Sequence, residues 1–198
     1  MRYSQNTKEF GGCSICGIYE MIRKDMSICD FQELAEKRYS CRNFSQRKVE
    51  KELVDQIIKA GITAPTAVNT QPVKIFWLNS EKQEKISGRY ATIPFGADTF
   101  LVVGYKEAEG WVRSFDQRNF ADIDAGIIAT HMMLEIEDLG LSTTWVGYFD
   151  APRLQSLYPE MKEYHLIALF PIGYAAEDAA PSDRHFKRKK TEEIVKIL

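Results

Sequence analysis

The sequence predicts a single α+β domain. Helix-like and strand-like segments alternate along 198 residues without an internal repeat. No linker is long enough to divide the chain into two folding units, and 198 residues is an ordinary length for one large domain. Apolar residues make up 44% and charged residues 27%, the composition of a globular protein with a sizeable core. Organised sequence begins at Asp30, so residues 30–198 form the predicted domain and residues 1–29 an N-terminal arm.

Asp30-Phe31-Gln32-Glu33 has the side-chain acceptor, and the acid three positions on, of a capping box. Phe31, Leu34 and Ala35 then mark one face of a short helix ending near Lys37. Glu50 to Ala60 reads as a second helix, with Leu53, Val54, Ile57 and Ile58 at helical spacing and Gly61 placed to end it. The stretch Ala64 to Pro72, bracketed by prolines and rich in small polar residues, is a loop. Val73 to Leu78 and Thr99 to Tyr105 are predicted strands, with a short helix from Glu81 to Ser87 between them. From Ala121 to Leu139 a long helix carries Ile123, Ile127, Thr130, Leu134 and Glu137 along one line, broadened by Ile128, Met132 and Met133; Gly140 stops it. So apolar a helix packs in a core or against a second subunit. A strand from Thr143 to Tyr148, a helix from Ala151 to Leu157, a strand from Leu166 to Pro171 and a helix from Thr191 to Leu198 complete the order.

Several function classes are excluded by what the chain lacks. Its formal charge of −2 gives no general attraction to nucleic acid or anionic membrane, and no apolar run approaches the ~20 residues that span a bilayer. The first residues lack the pattern of a signal peptide, which predicts a cytoplasmic location. No G-x-G-x-x-G, P-loop, H-E-x-x-H or G-x-S-x-G occurs. His131, His165 and His185 are far apart and have no metal-ligand neighbour at helical spacing, so no metal site is expected. Cys13 and Cys16 have C-x-x-C spacing, a zinc half-site or thiol pair by pattern, but Cys29 and Cys41 stand alone and supply no second half. Inert thiols in a loose arm are the simpler reading of the pair, and Met26 raises the question of which methionine is the native start.

Three clusters remain. Arg38-Tyr39-Ser40-Cys41-Arg42-Asn43-Phe44 offers two guanidinium groups and a hydroxyl, which suits a phosphate or makes a solvated turn. The Pro65–Pro72 loop offers Thr66, Asn69, Thr70 and Gln71, able to pair with the donor and acceptor edge of a heterocycle or simply forming an ordinary turn. Arg184 to Lys190 is a basic run, either a phosphate clamp or a solvated turn.

In this order the clusters resemble the nitroreductase family of flavin-dependent oxidoreductases, from about Phe31 to Val195. The carriers are R-Y-S-x-R-x-F (Arg38 to Phe44), A-P-T-A-x-N-x-Q-P (Ala64 to Pro72), DIDAGIIATHMMLEIEDLGLSTTWVGYFD (Asp122 to Asp150) and FPIGYAAEDAAPSDRHFKRKKTEEIV (Phe170 to Val195). The resemblance implies a mainly antiparallel central sheet flanked by helices, in an intertwined homodimer with two FMN sites at the subunit interface. By that likeness Arg38, Tyr39, Ser40 and Arg42 bind FMN from one subunit, with Lys187 and Arg188 closing on the phosphate. Pro65, Thr66, Ala67, Asn69 and Gln71 approach the same flavin from the other subunit, and Thr144, Trp145, Val146 and Gly147 lie along the isoalloxazine. The chain departs from many members at Val73, where they carry tryptophan, and at Lys189-Lys190-Thr191, where they carry proline and leucine.

The implied activity is transfer of hydride from NADH or NADPH through flavin N5 to a nitroaromatic, quinone or similar small acceptor, by ping-pong turnover. No side chain is then a catalytic acid or base; Arg42 tunes the flavin, because a fixed positive charge favours its reduction. Two other readings stay open: a dehalogenating or flavin-fragmenting enzyme of the same fold, and a flavin-binding redox sensor without turnover. The short stretch between Ile86 and Trp111 favours an open-site reductase over a lidded, specialised enzyme.

Overall fold

The strand TFLVVGY is apolar at nearly every interior position, and such a strand must be covered on both faces. The computed structural model, which describes residues 31–78 and 95–198, builds the fold around it. In chain order the elements are α1 (Phe31–Lys37), α2 (Lys51–Thr63), β1 (Val73–Leu78), β2 (Thr99–Tyr105), α3 (Ala121–Asp138), β3 (Ser142–Thr143), α4 (Ala151–Leu157), β4 (His165–Gly173) and α5 (Thr191–Ile194). The arm, Asp30 of the capping box, Cys13, Cys16, Cys29, Met26 and the Glu81–Ser87 helix lie outside the described residues.

Among the described residues the strands form one sheet, ordered β1-β2-β4-β3, with every neighbouring pair antiparallel. Leu101 and Val103 of β2 join Val54 and Ile57 of α2 and Ala125, Ala129 and Met132 of α3 on one face. Phe100 and Val102 point the other way, into a cluster with Leu154 of α4, Tyr158 and Met161. This is the alternation that a pleated strand imposes.

Strand β4 runs a little past its expected bounds at both ends, and four other elements differ more from their sequence expectation. Helix α2 does not stop at Gly61 but runs through it to Thr63. A Cβ on Gly61 would sit 2.8 Å from Met132 Cγ and 3.2 Å from Ile75 Cδ1, so this glycine permits helix-to-helix approach rather than termination. Helix α3 turns a different face inward than the line of large apolar residues suggests. Ala121, Ala125, Ile128, Ala129, Met132 and Ile136 are buried, while Ile123 remains 40% exposed and Thr130 faces solvent. Alanines let a helix lie close on a sheet, and size alone hides that from a sequence reading. Gly140, at φ 72°, does mark the end of α3.

The expected strand from Thr143 to Tyr148 is cut to Ser142–Thr143, with a single further bridge at Val146 and Leu169. Pro171 is the cause. Thr143 pairs with Ile172, so Thr144 falls opposite Pro171, which has no N–H to give the ladder. Pro171 O is taken instead by the Thr143 hydroxyl at 2.7 Å. Finally, α5 stops at Ile194 instead of Leu198; it buries none of its residues, and so short a helix has nothing to hold further turns.

The C-terminal end of β4 is tied to the start of α2 by a surface cluster. Arg47 stacks 3.7 Å above the Tyr174 ring, and its Nη2 donates to Glu50 Oε1 at 2.9 Å; the Tyr174 hydroxyl donates to Glu50 Oε2 at 2.7 Å. The Tyr174 hydroxyl and then Arg47 hold the Glu50 carboxyl well below the ordinary glutamate range, at about 2. A carboxyl with a depressed folded-state pKa adds stability above its unfolded pKa and loses it as the pH falls toward the folded one. The stability gap between wild type and Glu50→Gln should therefore close as the pH is lowered from neutral toward 2. Denaturant midpoints across that range check it, and a gap that widens in acid contradicts the cluster.

Candidate functional site

The residues that follow α1 are strapped alongside β3. Ser40 makes a parallel bridge with Thr143, and Cys41 N donates to Thr143 O at 2.9 Å. Phe44 bridges Ala175, Ala176 N donates to Asn43 O at 3.1 Å, and Asn43 Nδ2 reaches Asp178 Oδ1 at 2.8 Å. The stretch after β4 is thereby laid beside the stretch after α1. Residues 140 or more positions apart in sequence meet at one cavity of about 570 Å³, lined by Arg38, Ser40, Arg42, Ser182, Arg184, His185 and Arg188.

Four guanidinium groups, an imidazole and two hydroxyls face this space, with no carboxylate among the described lining residues. Such a donor set matches a phosphate monoester dianion, which takes charge-assisted hydrogen bonds from several sides. Arg42 Nη1 is spent on Ser40 O at 3.2 Å, and Arg188 Nη1 donates to the carbonyls of His185 and Lys187. These contacts orient the two side chains and leave their remaining N–H groups for a ligand. The residues therefore fit the phosphate end of FMN.

Between Arg38 and Ser40 in the chain, Tyr39 is pushed up to about 12, first by burial and then by Cys41, so it stays a neutral phenol. Burial likewise raises the Glu137 carboxyl on α3, opposed by Lys37 at 3.7 Å and by Arg38.

The structure separates the sequence-predicted residues into three groups. Arg38, Ser40, Arg42 and Arg188 line the cavity together; Tyr39 and Lys187 do not line it. Arg184 and His185, from the same basic run, do, because a 3₁₀ turn at Asp183–Phe186 carries Arg184 to the side that Arg188 also faces. Ser182 carries no signal in the sequence beyond preceding that turn.

The second group is Thr144 to Gly147. Thr144 and Val146 are buried, while Trp145, 37% exposed, and Gly147 reach the surface. The Trp145 indole meets Phe170 edge-on at 5.3 Å, which fixes its plane. Pro65, Thr66, Ala67, Asn69 and Gln71 form the third group, on the loop between α2 and β1, and belong to none of that cavity's walls. Gln71 N donates to Thr66 Oγ1 at 3.1 Å and Gln71 Nε2 to Asn69 Oδ1 at 2.9 Å, so the loop's polar groups are mutually ordered.

A wider groove of about 850 Å³ lies where β2 ends and β4 begins, lined by Lys106, Glu107, Glu109, Glu163 and His165 among others. Its charges pair with one another, Lys106 with Glu163 at 2.9 Å and with Glu109 at 3.5 Å, and His165 Nε2 lies 3.7 Å from Glu107 Oε2. Size alone does not make it the site; the cationic cavity, with no carboxylate among its described lining residues, has the stronger demand for a ligand.

The Nitroreductase family profile matches residues 35–92 and 84–174. Iodotyrosine deiodinase 1 of Mus musculus is 26% identical over 197 residues, covering 84% of this chain and 68% of that protein. Among solved structures, a nitroreductase family protein of Clostridium difficile 630 is 33% identical with a TM-score of 0.76, covering 84% of this chain and 97% of that one. A Desulfovibrio desulfuricans chain solved in complex with FMN shares the fold at 22% identity and a TM-score of 0.69, over 83% of this chain and 94% of its own. The profile spans from within α1 to the end of β4, and a solved relative is 33% identical over 84% of this chain. This chain belongs to the nitroreductase family.

Proposed function

We propose that this protein is an FMN-dependent oxidoreductase that accepts hydride from NADH or NADPH and passes it to a nitroaromatic, a quinone or a similar small acceptor. The observation that carries the reading is the convergence of Arg38, Ser40 and Arg42 with Arg184 and Arg188 on one cavity free of carboxylates among the described residues. When bound, FMN supplies two-electron hydride chemistry at N5.

The chain's own part is binding and electrostatics. Arg38, Arg184 and Arg188 hold the phosphate, Ser40 adds a hydroxyl donor, and Arg42 sets a fixed positive charge that favours flavin reduction. Trp145 and Gly147 offer an exposed edge of the strap after β3 to the ring system. Pro65, Thr66, Asn69 and Gln71 serve the flavin of a second copy. The homodimer this requires has a candidate surface in the outer stripe of α3, where Ile123, Ile127 and Leu134 are incompletely buried in one protomer. Among the described residues no helix is long and apolar enough to cross a membrane.

A second reading, reductive removal of halide from a halogenated phenol, is favoured by the similarity to iodotyrosine deiodinases at 25–26% identity. One experiment separates the two. Protein loaded with FMN is bleached anaerobically with NADH or NADPH, then offered a nitroaromatic, a quinone or 3-iodotyrosine while colour return and iodide release are followed. Recolouring by the first two without iodide supports the reductase. Iodide release at comparable rates supports the dehalogenase. A protein that takes up no FMN defeats both. Sedimentation of the loaded protein at twice the protomer mass is expected, and a monomer that retains FMN contradicts the shared site.

A further inference from the structure

Asp124 sits in the first turn of α3, is 1% exposed, and has only one of its oxygens engaged. Its Oδ1 accepts the backbone N–H of Ala67 at 2.8 Å, across 57 residues of sequence; Oδ2 has no hydrogen-bond partner among the described residues. A buried carboxylate with a half-empty shell is costly, so its contact with the loop has to return something. The helix supports the charge, since N-terminal N–H groups favour an anion there. The turn itself is rigid: Asn119 Oδ1 accepts the Ala121 N–H at 2.9 Å, while Asn119 Nδ2 donates to Glu107 O at 2.8 Å.

What the contact holds is a strained loop. Val68 (φ 43°), Asn69 (φ 60°) and Gln71 (φ 53°) all lie in the left-handed region, which a β-branched valine adopts only under constraint. The far end of the loop is fixed by Lys106 N donating to Pro72 O at 2.9 Å, and the near end follows directly from α2. Between those anchors, Ala67 is the point at which the loop is tied to α3.

We propose that Asp124 is a positioning residue for the flavin, acting through the loop: its buried carboxylate fixes the Ala67 amide and so keeps Thr66, Asn69 and Gln71 in the conformation that meets the ring. The proposal rests on the flavoprotein reading above for the last step, but not for the clamp itself. The side chain does not touch the flavin; its effect is transmitted by backbone geometry.

The test uses full-length protein with and without FMN, comparing wild type, Asp124→Ala and Asp124→Asn. Without FMN, hydrogen exchange at the Ala67 amide should rise roughly tenfold or more in Asp124→Ala and stay near wild type in Asp124→Asn, whose side-chain oxygen can still accept that hydrogen bond. With FMN, Asp124→Ala should shift the visible circular dichroism of the bound flavin and raise its dissociation constant roughly tenfold, while Asp124→Asn restores both. Where the alanine variant does not fold, Asp124→Leu, which removes the acceptor without leaving a hole or a charge, takes its place. Unchanged Ala67 exchange in the alanine or leucine variant overturns the clamp, and an asparagine variant as impaired as alanine overturns it too. Altered exchange with an unchanged flavin spectrum overturns the positioning role. Wild-type protein that binds no FMN at all sinks the flavoprotein reading while the exchange result still decides the clamp.

Discussion

Arg38→Ala and Arg188→Ala are each expected to raise the FMN dissociation constant about ten- to a hundredfold, the worth of roughly 1.5–3 kcal/mol for a hydrogen bond to a charged group. The two arginines line the same cavity from segments 150 positions apart, Arg38 after α1 and Arg188 after the 3₁₀ turn at Asp183–Phe186. Residues that grip one phosphate share its charge, so the double variant should lose less than the sum of the single losses. Higher salt should weaken wild-type binding and affect the double variant less, because fewer cationic contacts remain to be screened. Lys187→Ala is the internal contrast: lying outside the lining, it should change binding by threefold at most. Fluorescence titration of FMN into the apoprotein checks all four. Strong loss from Lys187→Ala with none from Arg188→Ala reverses the placement of the tail.

Gly61→Val should destabilise the fold by about 2–3 kcal/mol, the usual cost of overpacking a filled core. The added Cβ would meet Met132 Cγ at 2.8 Å and Sδ at 3.1 Å, and Met132 is completely buried between α2 and the sheet. An exposed methionine would swing aside; this one is packed among Val54, Ile57, Ala129 and Ile136 in the core. A fall of several degrees in Tm is expected for a chain of this length. Pairing the change with Met132→Ala should recover part of the loss, since the cavity left by one accommodates the other. A valine variant as stable as wild type would show that α2 and α3 do not approach at Gly61.

The two predictions draw on different amounts of sequence information. Strands β1 and β2 and helix α4 were legible to the residue, because runs such as VKIFWL and TFLVVGY contain β-branched and aromatic residues bounded by clear breaks. The Arg38–Arg42 and Arg184–Lys190 clusters were also legible, as local concentrations of charge. Which members of the second cluster line the cavity was legible only for Arg188, since the 3₁₀ turn sends Arg184 and Arg188 to the cavity and leaves Lys187 out. Gly61 looked like a stop signal because glycine ends helices more often than it joins them. Its real reason lies on another helix.

Asp124 shows the same limit more sharply. In the sequence it is one of two acids near a helix start, where acids are common. Only the fold reveals that one of them is buried against Ala67, while Asp122 stays at the surface and pairs with Arg118. The break in β3 is a third case: Pro171 looks harmless until the register puts Thr144 opposite it.

The sequence by itself determined the fold class, most element positions and where cationic side chains concentrate, because periodicity, turn residues and local charge act over a few neighbouring residues. Tertiary structure alone decided which face of α3 is inward, which cations share a cavity and which carboxylate is buried. Those outcomes depend on approach distances between segments far apart in the chain, where a missing Cβ at Gly61 or a missing N–H at Pro171 counts for more than any local preference.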